Sequence, residues 1–118
     1  GYLHQVFYAK LPYPIVICNC DRKYCASLKF RLLYDVEKAC LKGHEVCVVD
    51  QARCDGCSGK PECLRFCQFG ALRWVPTDGT VVCEPRNCFG CGVCRSACSH
   101  GALRLLPRET LAPVRDVW

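Results

Sequence analysis

Cys88-Phe-Gly-Cys91-Gly-Val-Cys94-Arg-Ser-Ala-Cys98 places four cysteines within eleven residues, at the spacing Cys-x2-Cys-x2-Cys-x3-Cys. A looser copy lies upstream as Cys54-x2-Cys57-x5-Cys63-x3-Cys67. Two such runs in tandem form a metal-ligand pattern. The chain holds fourteen cysteines, an even number, so a disulfide framework is the rival reading. Such a framework scatters its cysteines. Here eleven fall into three tight groups, the third being Cys18, Cys20 and Cys25. Zinc is the rival metal, because Cys-x2-Cys pairs also build zinc ribbons. A ribbon uses two well-separated pairs, not four cysteines inside eleven residues.

Fourteen cysteines in 118 residues exceed the level that marks a cysteine-built scaffold. They also supply much of the 51% hydrophobic fraction, which leaves a thin core for a small domain. Metal cross-links are therefore expected to carry part of the stability. Net charge is +5, and a basic protein can meet nucleic acid. No recognition-helix pattern or aromatic-basic sheet motif accompanies that charge. Arg53, Arg65, Arg73, Arg86, Arg95 and Arg104 flank the cysteine runs. They read either as a solvated face or as a surface that docks an acidic partner and favours negative charge nearby. No apolar run approaches membrane-spanning length and no signal peptide is visible. The chain starts at Gly1 and has no methionine, so an upstream residue or segment is expected to have been removed. A cytoplasmic, reducing setting is the expectation, since free thiolates and metal clusters need one.

Residues 1–44 read as an N-terminal extension. Within it, residues 1–12 read as an extended arm, with His4 as an outside candidate for a metal ligand. Residues 13–17 read as a short buried strand that runs into the Cys18 group. Residues 26–42 carry Leu28, Leu32, Val36 and Cys40 at helical spacing, which predicts an amphipathic helix stopped by Gly43. Residues 45–106 are the second region. Strands are expected at 45–49, 70–75, 80–83 and 101–106, with a turn at 76–79 and a short helix around Cys67. Gly-Ala-Leu-Arg occurs at 70–73 and again at 101–104, an offset of 31 residues that also lays Cys67 on Cys98. That repeat predicts a pseudo-twofold unit. Residues 107–118 read as an extended tail, with Trp118 packing on this domain or on a partner.

Residues 54–104 resemble the bacterial-type dicluster [4Fe–4S] ferredoxins and the ferredoxin-like iron–sulfur electron-transfer subunits. The resemblance implies an α+β fold of βαββαβ order, here with an N-terminal strand–helix extension. In that family the fourth cysteine of one run ligates the other run's cluster. Carried over, cluster one takes Cys54, Cys57, Cys63 and Cys98, and cluster two takes Cys88, Cys91, Cys94 and Cys67. Three thiolates of a short loop grip three corners of one cube, and the last cysteine points at its neighbour. Two features depart from the family. Gln68 and Ser99 stand where a proline usually follows the fourth cysteine. Residues 58–62 insert between Cys57 and Cys63, which leaves a three-iron variant open if Cys57 does not ligate.

Cys18, Cys20 and Cys25 are a candidate third metal site, either a further [4Fe–4S] cluster or another metal. Cys40, Cys47, Cys83 and His4 are its candidate fourth ligands, as is a partner's residue. For Cys40, Cys47 and Cys83 plain core packing is the simpler reading. Residues 14–25 also resemble, more faintly, the Cys-Asn-Cys lead-in of some anaerobic ferredoxin-like proteins. No nucleophile–base pair, phosphate loop or nucleotide fingerprint is present, and Asp50, Asp55 and Glu62 read as turn or loop residues. The expectation is an electron-transfer protein with no substrate site of its own, acting as the small subunit of a larger anaerobic redox enzyme. A tungsten or molybdenum oxidoreductase or a hydrogenase-like assembly is the partner that the resemblance implies. The alternatives are a free shuttling ferredoxin and a zinc-bound structural or nucleic-acid-binding module.

Overall fold

A computed structural model describes residues 2–8 and 10–117; Gly1 and the expected packing of Trp118 lie outside the described residues. The chain divides into two units, Gly1–Cys40 and Leu41–Trp118.

In the first unit the expected arm is a strand, β1 (Leu3–Phe7), paired antiparallel with β2 (Val16–Cys20). Gln5 stands opposite Cys18 and Leu3 opposite Cys20. Directly opposed residues share a face, so Gln5, Cys18, Leu3 and Cys20 lie on one side, and His4 and Asn19 on the other. The strand expected to be buried at 13–17 begins later, and Ile17 is 65% exposed. The helix predicted over 26–42 ends early, as α1 (Ala26–Leu33). Asp35 takes a left-handed conformation with φ 52°, which aspartate tolerates better than most residues. The Val36 N–H then reaches back to the Phe30 carbonyl at 3.0 Å and closes the helix. The chain continues through a 3-10 turn at Glu37–Ala39. Only Leu28 of the predicted apolar stripe is fully buried; Leu33 is 70% exposed.

The second unit runs β3 (Glu45–Val49), α2 (Cys63–Phe66), β4 (Leu72–Val75), β5 (Thr80–Cys83), α3 (Val93–Ser96) and β6 (Leu103–Pro107). This is the expected α+β class and βαββαβ order. The turn at 76–79 joins β4 to β5 as its Pro-Thr-Asp-Gly composition requires. β3 pairs antiparallel with β6, and β4 with β5. Each two-stranded sheet thus takes one strand from each half of the repeat. The sequence offset is 31 residues between Cys67 and Cys98 but 34 between Cys54 and Cys88. The difference is the longer loop between Cys57 and Cys63.

The core holds Val46, Cys47, Cys63, Ala71, Leu72, Val81, Cys88, Cys94, Leu103 and Val114. Four of these ten are cysteines, so groups that could bind metal also fill the interior. The tail is not extended. It forms 3-10 turns at Arg108–Thr110 and Ala112–Val114, and both Arg108 and Val114 are fully buried.

Each run carries a glycine just before its second cysteine, Gly56 and Gly90, with φ 63° and 72°. A Cβ at Gly56 would strike the Trp74 ring and the Gly79 carbonyl, and one at Gly90 would strike the Glu45 carbonyl. The ring can shift, whereas the backbone at Gly79 and Glu45 cannot. By contrast, Gly79 has φ 60° but open space around it. Gly79→Ala should therefore cost about 1 kcal/mol and Gly90→Ala about 3 kcal/mol, separating their anaerobic thermal midpoints by about 10 °C. Equal midpoints would show that the β3 backbone yields to the added methyl.

Candidate metal centre

Two cavities in the second unit collect the cysteines of the two runs. The first, about 280 Å³ including its mouth, is lined by Cys54, Cys57, Cys63 and Cys98, with Pro61, Val81, Ala102, Leu103, Asp55 and His100. Cys54 follows β3 by a turn in which Asp50 accepts the Ala52 N–H at 3.1 Å. Cys63 opens α2, and Cys98 arrives from the end of α3 in the other half. Two backbone amides point at these sulfurs, Val81 N–H at Cys54 (3.5 Å) and Ala102 N–H at Cys98 (3.3 Å). Burial works against a Cys54 thiolate, but the Thr80 side chain and the Val81 and Gly56 amides outweigh it and hold Cys54 below the usual thiol value. Burial, with Cys98 and Cys94 nearby, pushes the Cys63 thiol up to about 11.

Cys57 is the irregular member. It sits in the left-handed region with φ 49°, followed by Ser58 at φ 53°, where the inserted loop departs. Such conformations cost free energy and need local support. The Asp55 carboxylate supplies it by accepting the Cys57 N–H at 2.9 Å. The ligating atoms of Asp55, Cys57 and His100 all lie within 4.8 Å of one another. His100 was no candidate in the sequence, and it reaches this mouth only because the halves exchange strands.

The second cavity, about 320 Å³ including its mouth, is lined by Cys67, Cys88, Cys91 and Cys94. Cys67 comes from the first half, at the end of α2. The amides repeat the pattern of the first cavity. Ala71 N–H donates to Cys67 (3.2 Å), and Cys47 N–H (3.3 Å) and Gly90 N–H (3.4 Å) donate to Cys88. N–H groups aimed at sulfur stabilise thiolate over thiol. Phe69 and Phe89 stack at 4.0 Å between centroids and wall this cavity. Gln68, the residue after Cys67, is buried.

Cys47 and Cys83 also line the second cavity, which reading them as simple core residues missed. The Cys47 and Cys94 sulfurs are 3.7 Å apart. Hydrogen bonding to Cys83 and Cys94, together with burial, raises the Cys47 thiol. No local pattern marks either residue, because each sits on a strand among apolar neighbours.

In the first unit the Cys18, Cys20 and Cys25 sulfurs lie within 4.8 Å of one another. His4 is not among them; its Nδ1 pairs with the Asn19 side chain on the opposite face of the hairpin.

No family model matches the chain. Over 38 residues it is 33% identical to the uncharacterized ferredoxin-like protein YdhY of Escherichia coli (strain K12), and equally so to the YdhY proteins of Escherichia coli O157:H7 and Shigella flexneri. The match spans 32% of this chain and 18% of the relatives' length. Over those residues the chain is ferredoxin-like.

The second unit has a buried arginine at its heart. Arg108 donates from Nε to the Gly43 carbonyl (3.0 Å), and from Nη2 to those of Glu45 (3.2 Å) and Cys88 (2.8 Å). Its Nη1 is buried with no partner. These partners are neutral carbonyls; burial lowers the guanidinium below its usual value, and Cys88 acts the other way. Of the arginines flanking the runs, Arg53 and Arg104 pair with Asp50, and Arg65 with Glu62, at the surface. Exposed pairs of this kind contribute little. Arg108→Ala should cost about 3 kcal/mol by stranding three carbonyls, and Arg53→Ala less than about 0.5 kcal/mol. Matching losses in thermal unfolding would refute a structural role for Arg108.

Proposed function

We propose that the chain carries electrons through two [4Fe–4S] clusters, one in each cavity, and has no substrate site of its own. The observation that carries this reading is how eight cysteines divide. Cys54, Cys57, Cys63 and Cys98 line one cavity, and Cys88, Cys91, Cys94 and Cys67 the other. Each set includes the fourth cysteine of the opposite run. A bound cluster would supply a one-electron couple. The chain's part is to hold the thiolates, aim backbone amides at their sulfurs and set the surrounding charge. Arg108 behind Cys88 favours negative charge in the second cavity. The Asp55–His100 pair, 3.6 Å apart, puts ionisable groups at the edge of the first cavity.

A role as a subunit of a larger redox enzyme is supported by the first unit. Tyr2, Val6, Tyr8, Ile17, Phe30, Leu33 and Tyr34 are all exposed there. Apolar exposure on that scale suits a surface covered by a partner. A tungsten or molybdenum oxidoreductase or a hydrogenase-like assembly in an anaerobic, reducing setting fits by resemblance. Among the described residues no helix is long and apolar enough to cross a membrane.

The test is anaerobic iron and acid-labile sulfide content. About eight of each are expected per chain in these two cavities, from four iron and four sulfide per cluster. A colourless protein without sulfide would sink the proposal. Cys67→Ser should damage the cluster held by Cys88, Cys91 and Cys94 more than that of its own run. Cys91→Ala should remove about four irons and, since a bound cluster would cross-link the core cysteines Cys88 and Cys94, lower the thermal midpoint as well. Unchanged iron in Cys91→Ala would overturn the ligand assignment.

A further inference from the structure

The first unit's cysteines differ in spacing from those of the second. Sulfurs bound to one tetrahedral ion at about 2.3 Å sit about 3.8 Å apart. Thiolates on a cubane stand on different irons, and the separation of those irons spreads them wider. Cys18, Cys20 and Cys25 all lie within 4.8 Å of one another. Among the described residues, no three cysteines of the two later runs come that close.

We propose that Cys18, Cys20, Cys25 and Cys40 bind a single tetrahedral zinc ion rather than a third cluster. The local build explains the grouping. Strand alternation puts Cys18 and Cys20 on one face of β2. The Asp21 carboxylate then accepts the N–H groups of Lys23 (2.9 Å) and Tyr24 (3.1 Å). That turn brings the chain round so that Cys25, the residue capping α1, joins the pair.

Gln5, opposite Cys18 on the same face, links this trio to Cys40. Its Nε2 donates to Cys40 Sγ at 3.0 Å, and its Oε1 accepts from the Cys25 thiol at 3.6 Å. The Ser27 hydroxyl bonds the Ala39 carbonyl and keeps the residue before Cys40 against the first turn of α1. One amide therefore stands between the Cys25 and Cys40 sulfurs. On metal binding the ligand thiols release their protons to solvent. Loss of the Cys25 proton removes one of the two bonds that hold the Gln5 amide in place. The amide turns aside, Cys40 completes the tetrahedron, and Gln5 Nε2 remains a donor to its thiolate. The charge of four thiolates on one dication suits a soft, redox-inert ion, and all-sulfur tetrahedral sites select zinc in this way.

The experiment is metal analysis of the full chain purified with its iron in place. One zinc per chain is expected beside the iron. Cys18→Ser and Cys20→Ser should lose the zinc and keep the iron, while Cys91→Ser should do the reverse. Iron retained in the second unit shows that the rest of the chain is folded in each variant. Cadmium substituted for zinc should give a four-thiolate NMR shift that moves to a three-thiolate shift in Cys40→Ser; an unmoved shift overturns the place of Cys40. Wild-type protein with iron but no zinc overturns the site, as does loss of about four irons in Cys20→Ser. Neither result touches the two-cluster reading, and zinc without iron would defeat that reading while leaving this one standing.

Discussion

The second unit depends on an exchange of strands. β3 opens the first half and pairs with β6, which closes the second, while β4 and β5 pair across the junction. Neither half can complete a sheet alone. The exchange also carries each run's last cysteine away from its own loop and to the neighbouring cavity. The same bond recurs at both places, where the amide of Ala71 or Ala102 meets the sulfur four residues earlier. Those alanines are almost fully buried, so a larger side chain has no room at either. Pairing residues 45–49 with 103–107 spans most of the unit and carries a high loop-closure cost. Arg108, one residue past β6, bonds three carbonyls at that seam, and its backbone N–H reaches the His44 carbonyl at 2.7 Å.

The two cavities are related by the repeat but are not equal. The longer loop and the strained Cys57 belong to the first alone. The buried guanidinium and the stacked phenylalanines belong to the second. The second also has two extra thiols, Cys47 and Cys83, in its wall. Charge and hydrogen bonding are among the terms that would set the potential of a cluster held there, and both differ between the sites.

Much of the second unit was legible because the repeat is local. Cysteine spacing, Gly-Ala-Leu-Arg and the Pro-Thr-Asp-Gly turn each fix a few neighbouring residues, and the strands at 45–49 and 80–83 have the expected bounds. The first unit was less legible. The stripe from Leu28 to Cys40 has helical period, yet Asp35 in the left-handed region ends the helix, and periodicity cannot see one such residue. β1 was taken for an arm because its partner lies beyond the turn. The tail was misread for a related reason. Nothing local distinguishes Arg108 from the surface arginines; only the three carbonyls around it, far off in sequence, do so. His100 was passed over on the same ground, and Cys47 and Cys83, weighed as core residues or as ligands of the first unit's site, line the second cavity instead.

The antiparallel register sets Glu45 directly against Pro107. The polypeptide therefore enters and leaves the βαββαβ unit side by side, at one edge. A unit with adjacent ends behaves as a cassette that can be spliced into a loop of a host protein without parting the host's own flanking segments.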